Sequence, residues 1–180
     1  ANLRKEAYQE LGVNFCQSHL LNSPGNFTAA KLAWVKKNQP AIYEKIAHVL
    51  LPGDFIACRL TETLGISASA LSEGIFWDFK EQHISNELLS YFGFDKGLFP
   101  EVKPVFSNHG QITPNVALEL GFATDVIVSY KAGDQPNNAF SLGVLDPGEI
   151  ATTAGTSGVV YGVSDELKFD PLNRVNSFAH

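Results

Sequence analysis

The chain has 180 residues with a formal net charge of −6, and its composition of 44% hydrophobic and 18% charged residues is ordinary for a globular protein with a sizeable core. The acidic charge disfavours nucleic acid as a partner, because proteins that bind phosphate backbones usually carry a basic face. No apolar run approaches the roughly 20 residues that a membrane-spanning helix needs, so no membrane partner is expected.

The first part of the chain is predicted to be mostly helical. Leu3, Ala7 and Leu11 recur at helical spacing and are followed by Gly12, which suits a helix C-terminus. Further helices are predicted from Thr28 as N-cap to a stop before Pro40, at 41–46, 54–60 and 85–92, and at 114–120 between Thr113 as N-cap and Gly121 after the end. Extended segments are predicted at 49–51, as a brief buried strand, and at 72–79.

The pattern changes near residue 125, which is the candidate boundary between two parts of the chain. Residues 126–130 are a β-branched run that predicts a strand, and a tight turn and a helix at about 136–143 follow it. Two further β-type runs, 149–154 and 159–163, are joined by a glycine-rich turn. This arrangement predicts a hairpin.

The turn after the 126–130 strand carries a carboxylate and several amides, at the end of a strand where ligands bind in open α/β sheets. Gly133 permits an unusual backbone angle and close approach of a ligand, and Asp134 can accept a proton. Gln135 and Asn138 can hydrogen-bond the hydroxyl groups of a ligand. The same spacing also fits an Asp134 that only caps the following helix, and that alternative stays open.

The hairpin turn around 155–158 is rich in glycine and hydroxyl side chains. Successive backbone N–H groups in such turns hold anions, and the hydroxyls of Thr156 and Ser157 add donors suited to phosphate oxygens. A plain hairpin with Gly155 at a turn position explains the same residues. A candidate base followed by a candidate phosphate-binding turn indicates a functional site more strongly than either feature does alone.

Together these segments resemble the core of the FGGY carbohydrate kinase family, in which a strand precedes Gly-Asp-Gln and a later strand ends in Ala-Gly-Thr-Ser-Gly. Residues 28–34 read Thr-Ala-Ala-Lys-Leu-Ala-Trp and are similar to the family's Thr-x-x-Lys-Leu-x-Trp signature. Leu-Pro-Gly-Asp-Phe at 51–55, followed by Arg-Leu-Thr at 59–61, resembles its Pro-x-Asp-Tyr…Leu-Thr segment.

The resemblance implies an α/β fold of the actin-like, ribonuclease-H-like ATPase type, present here as a fragment. It implies that Asp134 is the catalytic base, which also contacts the sugar, and that Gln135 and Asn138 help to bind the sugar. Gly155, Thr156 and Ser157 would belong to the loop that holds the nucleotide phosphates.

The implied activity of the intact enzyme is ATP-dependent phosphorylation of a keto-pentose, D-xylulose to D-xylulose 5-phosphate. Mg²⁺ is implied with the ATP and would be bound largely through its phosphates, because the five histidines and two cysteines show no metal-ligand spacing. The alternatives are ribulose, gluconate or glycerol as the acceptor, or a fragment without activity of its own. Residues 67–72 read Ser-Ala-Ser-Ala-Leu-Ser where many relatives carry an aspartate, which leaves the sugar open.

The resemblance covers the whole chain but only the middle of the family's length. It implies that residues 1–124 are the latter part of the N-terminal sugar-binding domain, and that 125–180 are its end and the opening strands of a nucleotide-binding domain. Methionine is absent, so we expect an excised or processed piece. Residues 175–180 alternate apolar and polar side chains, which predicts an unpaired edge strand and self-association as a homodimer. Neither a signal-peptide pattern nor a disulfide framework is recognisable, which favours the cytoplasm.

Overall fold

The computed structural model describes residues 2–25, 27–155 and 158–179 of the chain. Within these ranges the α-helices are α1 (Asn2–Glu10), α2 (Val13–Phe15), α3 (Thr28–Asn38), α4 (Pro40–Tyr43), α5 (Pro52–Thr61), α6 (Ala68–Glu73), α7 (Asn86–Phe92), α8 (Pro114–Leu120) and α9 (Asp134–Ser141). A π-helical turn, Cys16–Leu20, follows α2, and a 3-10 turn, Lys96–Leu98, follows α7. In these ranges no helix has both the length and the apolar character needed to cross a membrane.

The strands are short and pair two at a time. They are β1 (Ile66–Ser67), β2 (Trp77–Asp78), β3 (His83–Ile84), β4 (Val102–Lys103), β5 (Ile150–Ala154) and β6 (Gly158–Gly162). β1 and β4 run parallel, with Ile66 opposite Val102, whereas β2 and β3 run antiparallel. β5 and β6 form an antiparallel hairpin in which Ala151 lies opposite Tyr161.

The hydrophobic core lies among α3, β1, α6, β2 and α7. Its centre is the fully buried Phe76, whose ring lies 4.7 Å from that of Phe99 and 6.3 Å from that of Phe94. Leu71 and Leu88 are also fully buried and pack into the same cluster. Burial of each such side chain stabilises the fold by about 1.5–3 kcal/mol, so this part of the chain provides the rigid support for the rest.

The strongest local signals of the sequence are confirmed. α8 begins at Pro114, and Thr113 Oγ1 accepts a hydrogen bond from the Val116 amide at 3.4 Å. The helix ends at Gly121, whose φ of 71° lies in the left-handed region that glycine adopts readily. The predicted hairpin is formed by β5 and β6.

The first half of the chain differs from the prediction at three points. Phe27 occupies the N-cap position of α3, and Thr28 is its first helical residue. α4 ends at Tyr43, short of the predicted 46. No strand forms at 49–51, where the Val49 amide donates to Leu98 O at 2.8 Å in the 3-10 turn, not to a strand.

The segment at 72–79 is also only partly extended. Ser67 Oγ accepts from the Ala70 amide at 3.1 Å and caps α6, which then continues as far as Glu73. Only Trp77 and Asp78 form a strand. The capping interaction therefore places Ser72 and Glu73 in a helix, where the sequence predicted the start of a strand or extended arm.

The β-branched run at 126–130 pairs irregularly with the segment at 105–112. Two isolated antiparallel bridges join Tyr130 to Phe106 and Ile127 to Gln111, and a continuous strand is not formed. The helix that follows begins at Asp134, two residues before the predicted start.

The last segment of the chain packs back onto the first part. Asn22 Nδ2 donates to Ser177 O at 2.6 Å, and the Ser177 amide donates to Asn22 Oδ1 at 3.0 Å. The Ala179 amide donates to Ser72 Oγ at 2.8 Å, and the ring of Phe178 meets that of Phe27 at 6.0 Å. The predicted edge strand at 175–180 is therefore wrong for its described residues, 175–179, because buried side chains bind this backbone; His180 lies outside the described residues.

We expect Asn22→Ala to release this segment, because the buried amide makes both of these hydrogen bonds. Unfolding in denaturant should show a loss of about 1–3 kcal/mol, the usual cost when buried backbone groups lose their partners. The amides of Ser177 and Ala179 should also exchange faster with deuterium. The exposed Asn176→Ala is the matched control in the same segment, and equal behaviour of the two variants would show that Asn22 does not hold it.

Candidate functional site

A cavity of about 340 Å³ lies where α5, β1 and α6 meet the turn that precedes α9. This volume is at the lower end of the range of small-molecule sites, roughly 300–1,000 Å³. Its lining comes from three segments that are distant in the sequence, 51–54, 67–73 and 131–134. The lining residues are Leu51, Pro52, Gly53, Asp54, Ser67, Ala70, Glu73, Lys131, Ala132, Gly133 and Asp134.

A buried ion pair forms the floor of the cavity. Lys131 Nζ lies 2.8 Å from Asp54 Oδ1, and the two side chains are 7% and 1% exposed. The same ammonium donates to Gly65 O at 2.7 Å. Burial raises the pKa of Asp54, and the hydrogen bond and charge of Lys131 act in the opposite direction. The pair thus fixes the chain just before Asp134 against the start of α5.

A second carboxyl group, that of Glu73, lies directly against the turn. A β-carbon built on Gly133 would overlap this carboxyl group, so glycine lets the carboxyl lie against the turn in this position. Burial, followed by the charges of Asp134 and Asp54, raises the pKa of Glu73 from 4.5 to about 7. Glu73 Oε1 is buried and has no hydrogen-bond partner among the described residues.

The structure gives a different reason for a glycine at position 133 from the unusual backbone angle that the sequence suggests. Gly133 has φ −71° and ψ 178°, a backbone conformation that any residue adopts. The expectation of an unusual backbone angle is therefore wrong, and the close approach is that of the Glu73 side chain.

Asp134 is the first residue of α9 and is exposed at the cavity. Gly133 occupies the N-cap position without a side-chain contact, and Asp134 Oδ1 accepts from the Gln135 amide at 2.8 Å. Asp134 is therefore not the N-cap residue, although it satisfies one amide of the first turn. Its other carboxylate oxygen is available to a ligand in the cavity.

The two amides predicted beside Asp134 do not line this cavity in the described structure. Asn138 is exposed one helical turn after Asp134, on the same face of α9. Gln135 is half-buried beside it. Asn137, which the sequence did not single out, donates through Nδ2 to Ala132 O at 3.2 Å and to Gly133 O at 2.9 Å. This contact closes the turn that carries Asp134.

The predicted phosphate turn lies at the tip of the β5–β6 hairpin, and β5 packs beside α9. Gly155 is exposed there, whereas Thr156 and Ser157 lie outside the described residues. Nucleotide binding by this turn stays a prediction. In the part of the chain that the structure describes, no group of three or more acidic, histidine or cysteine side chains is arranged as a metal site.

Two tyrosines complete the surroundings of Glu73. Burial and the Glu73 charge raise the pKa of Tyr130, and burial together with Tyr130 and Glu73 raises that of Tyr161. Tyr130 also belongs to an aromatic group with Phe106 and Phe140, at ring distances of 4.7 and 4.9 Å.

Sequence reasoning found Asp134 but missed Asp54, Glu73 and Lys131 as members of one site. The local pattern predicts Asp54 at the start of a helix and Glu73 within an extended segment. Asp54 and Glu73 lie far from Asp134 in the sequence, so only the tertiary fold brings them to it. Lys131 stands three residues before Asp134, but its role depends on its pairing with Asp54.

The comparison with known proteins gives a consistent result along the chain. A model described as the N-terminal domain of the FGGY family of carbohydrate kinases matches residues 6–141. A xylulose kinase of Escherichia coli (strain K12) is 34% identical over 163 residues, which cover 89% of this chain and 33% of that protein. The chain spans about a third of the length of the curated relatives it matches.

Solved structures show the same likeness. The crystal structure of a xyloylose kinase from Brucella ovis has 29% sequence identity and a TM-score of 0.86, and the match covers 99% of this chain and 37% of that one. A xylulose kinase from Rhodospirillum rubrum has 25% identity and a TM-score of 0.79, over 86% of this chain. The predicted α/β fold of the actin-like, ribonuclease-H-like type, present as a part, is confirmed.

We expect the Glu73 carboxyl to make the stability of the chain depend on pH. Between about 4.5 and about 7 the carboxyl is ionised in the unfolded chain but protonated in the folded one. Stability should therefore fall as the pH rises through this window and then level off. Denaturant unfolding of the parent and Glu73→Gln at several pH values measures this fall, which the glutamine variant should lose.

Gly133→Ala provides an independent check of the same contact. The new methyl group should push the flexible Glu73 side chain away from the turn and reduce the pH dependence, as Glu73→Gln does. Gly162→Ala is the control, since a β-carbon there meets nothing within 4 Å. A parental pH dependence in both Gly133→Ala and Glu73→Gln would contradict the assignment.

Proposed function

Because the chain belongs to the FGGY family of carbohydrate kinases, we propose that the full-length protein transfers a phosphoryl group from ATP to a hydroxyl of a small sugar. D-xylulose is the proposed acceptor and D-xylulose 5-phosphate the product. The relatives that support this choice are named xylulose kinases, at 34% identity in one case. The chain itself contributes the proposed base and one wall of the acceptor site.

The observation that supports this proposal is the position of Asp134 at a cavity whose volume of about 340 Å³ suits a small molecule. Its carboxylate is exposed at the cavity and anchored on one side by the Gln135 amide. The neighbouring ammonium of Lys131 is already paired with Asp54, so it does not neutralise Asp134 directly. A carboxylate left free in this way can accept the proton of a bound hydroxyl.

Phosphoryl transfer needs mainly positioning and charge stabilisation, with little covalent chemistry by the protein. In the proposed reaction Asp134 orients the acceptor hydroxyl and takes its proton as the oxygen attacks the γ-phosphorus. Gln135 and Asn138, near the start of α9, would bind other hydroxyls of the sugar after a change of side-chain rotamer.

The nucleotide would be held at the turn of the β5–β6 hairpin, through Gly155, Thr156 and Ser157. Mg²⁺, which the family implies, would neutralise charge on the phosphates, and the described residues offer no protein-only site for it. In this proposal Mg²⁺ is therefore bound through the phosphates of the nucleotide.

The acceptor has alternatives within the same reaction. Ribulose, gluconate and glycerol carry the same reacting group, and residues beyond this chain could favour one of them. A separate alternative is that the 180-residue chain by itself is a fragment of a sugar kinase that does not catalyse the reaction. A panel of these four acceptors with the full-length protein ranks them by kcat/KM.

We expect Asp134→Asn in the full-length protein to lower kcat by about 10²-fold or more, because the amide keeps hydrogen bonds but cannot take a proton. D-xylulose affinity, measured by calorimetry, should change much less. Asp125→Asn, at an exposed position outside the cavity lining, is the matched control. An Asp134→Asn enzyme with near-parental kcat would remove this residue from the mechanism.

A further inference from the structure

The proposed function leaves the Glu73 carboxyl without a role, and the Asp54 carboxylate is the other buried group of the lining that, apart from its ion pair, has no hydrogen-bond partner among the described residues. Asp54 is paired with Lys131, and Asp134 accepts from the Gln135 amide. Glu73 Oε1 is buried in the same cavity with no hydrogen-bond partner among the described residues. Buried polar groups are nearly always hydrogen-bonded in folded proteins, so an unpaired one in a cavity wall indicates a partner that comes from outside.

The surroundings of Glu73 determine which kind of partner this is. The charged and titratable groups that face it are Asp134, Asp54, Lys131, Tyr130 and Tyr161. The ammonium among them is already bound by Asp54 and by Gly65 O, and both facing carboxyl groups disfavour a further negative charge. With its pKa raised to about 7, Glu73 is mostly protonated at mildly acidic pH. It then offers an O–H donor.

We propose that the Glu73 carboxyl is a second acceptor-binding group of the cavity, which donates a hydrogen bond to the hydroxyl next to the one that faces Asp134. This inference rests on the proposed function. The carboxyl lies against Gly133, and Asp134 is the next residue, so the two groups face adjacent positions of one small ligand. The site therefore selects acceptors with two neighbouring hydroxyls.

In D-xylulose the reacting primary hydroxyl is on C5, so the hydroxyl assigned to Glu73 is the one on C4. The 4-deoxy analogue lacks it, and the 3-deoxy analogue is the matched control because it keeps the adjacent pair. The loss of affinity in each Glu73 variant can thus be compared with the loss caused by removing the C4 hydroxyl from the ligand.

The experiment measures binding of D-xylulose to the full-length protein by calorimetry at pH 6.5, without ATP. Glu73→Ala should raise Kd by about 10-fold, the usual effect of losing one hydrogen bond to a site that stays otherwise intact. Glu73→Gln should raise Kd less, because its amide can still donate. Glu119→Gln, at an exposed position on α8, should bind as the parent does.

The deoxy analogues complete a double-mutant cycle. The parent should bind the 4-deoxy analogue about 10-fold more weakly than D-xylulose, and Glu73→Ala should bind both nearly equally. The parental Kd for D-xylulose should also rise above pH 7, as the carboxyl loses its proton, whereas the Kd of Glu73→Gln should not.

The outcomes separate this inference from the function on which it rests. Parental affinity in both Glu73 variants, or additive losses in the cycle, would overturn the role of Glu73 while a strongly impaired Asp134→Asn upholds the kinase proposal. An active Asp134→Asn enzyme would overturn the proposed function, whatever Glu73 binds. Thermal unfolding of each variant confirms that it is folded, and Glu73→Gln serves as the second variant if Glu73→Ala is not.

Discussion

The buried ion pair between Lys131 and Asp54 is the contact on which the geometry of the cavity depends. It joins the segment before α9 to the first turn of α5, and the same ammonium also binds Gly65 O just before β1. Such a pair adds little net stability, because desolvation of the two ions offsets most of their attraction. Loss of one partner would nevertheless leave an uncompensated buried charge, at a cost of about 3–5 kcal/mol. The turn that ends in Asp134 therefore has one favourable position on the core.

The ion pair also explains why the two remaining carboxyl groups differ. Lys131 and Asp54 neutralise each other, and among the described residues the cavity lining holds no other cationic side chain to support two further anions. Asp134 is exposed and its carboxylate accepts a backbone amide, whereas Glu73 is more buried and faces two like charges. Like charges that share a site favour a proton on one of them. Burial and these two charges accordingly raise the pKa of Glu73 to about 7.

The parts of the fold that local chemistry determines were predictable from the sequence. α8 has its cap, proline and glycine in order, and the β5–β6 hairpin follows from two β-type runs around a turn. Tertiary contacts decided the remainder: the run at 126–130 forms only isolated bridges, and α6 extends to Glu73 from the cap at Ser67. The candidate site divides in the same way. Asp134 was recognisable because its turn follows a strand-like run, but its partners come from helices whose packing no local pattern encodes.

Gly133 belongs to a local turn, but a tertiary contact explains why a glycine suits this position. Its backbone angles would suit any residue, so a local analysis can explain it only as an optional turn residue. The overlap that a β-carbon would make with the Glu73 carboxyl supplies the missing reason. A glycine here lets the Glu73 carboxyl lie against the backbone of the residue before Asp134, which brings the two carboxyl groups to one wall of the cavity. In this Gly-Asp pair, Gly133 leaves space for the Glu73 side chain, and Asp134 is the proposed base.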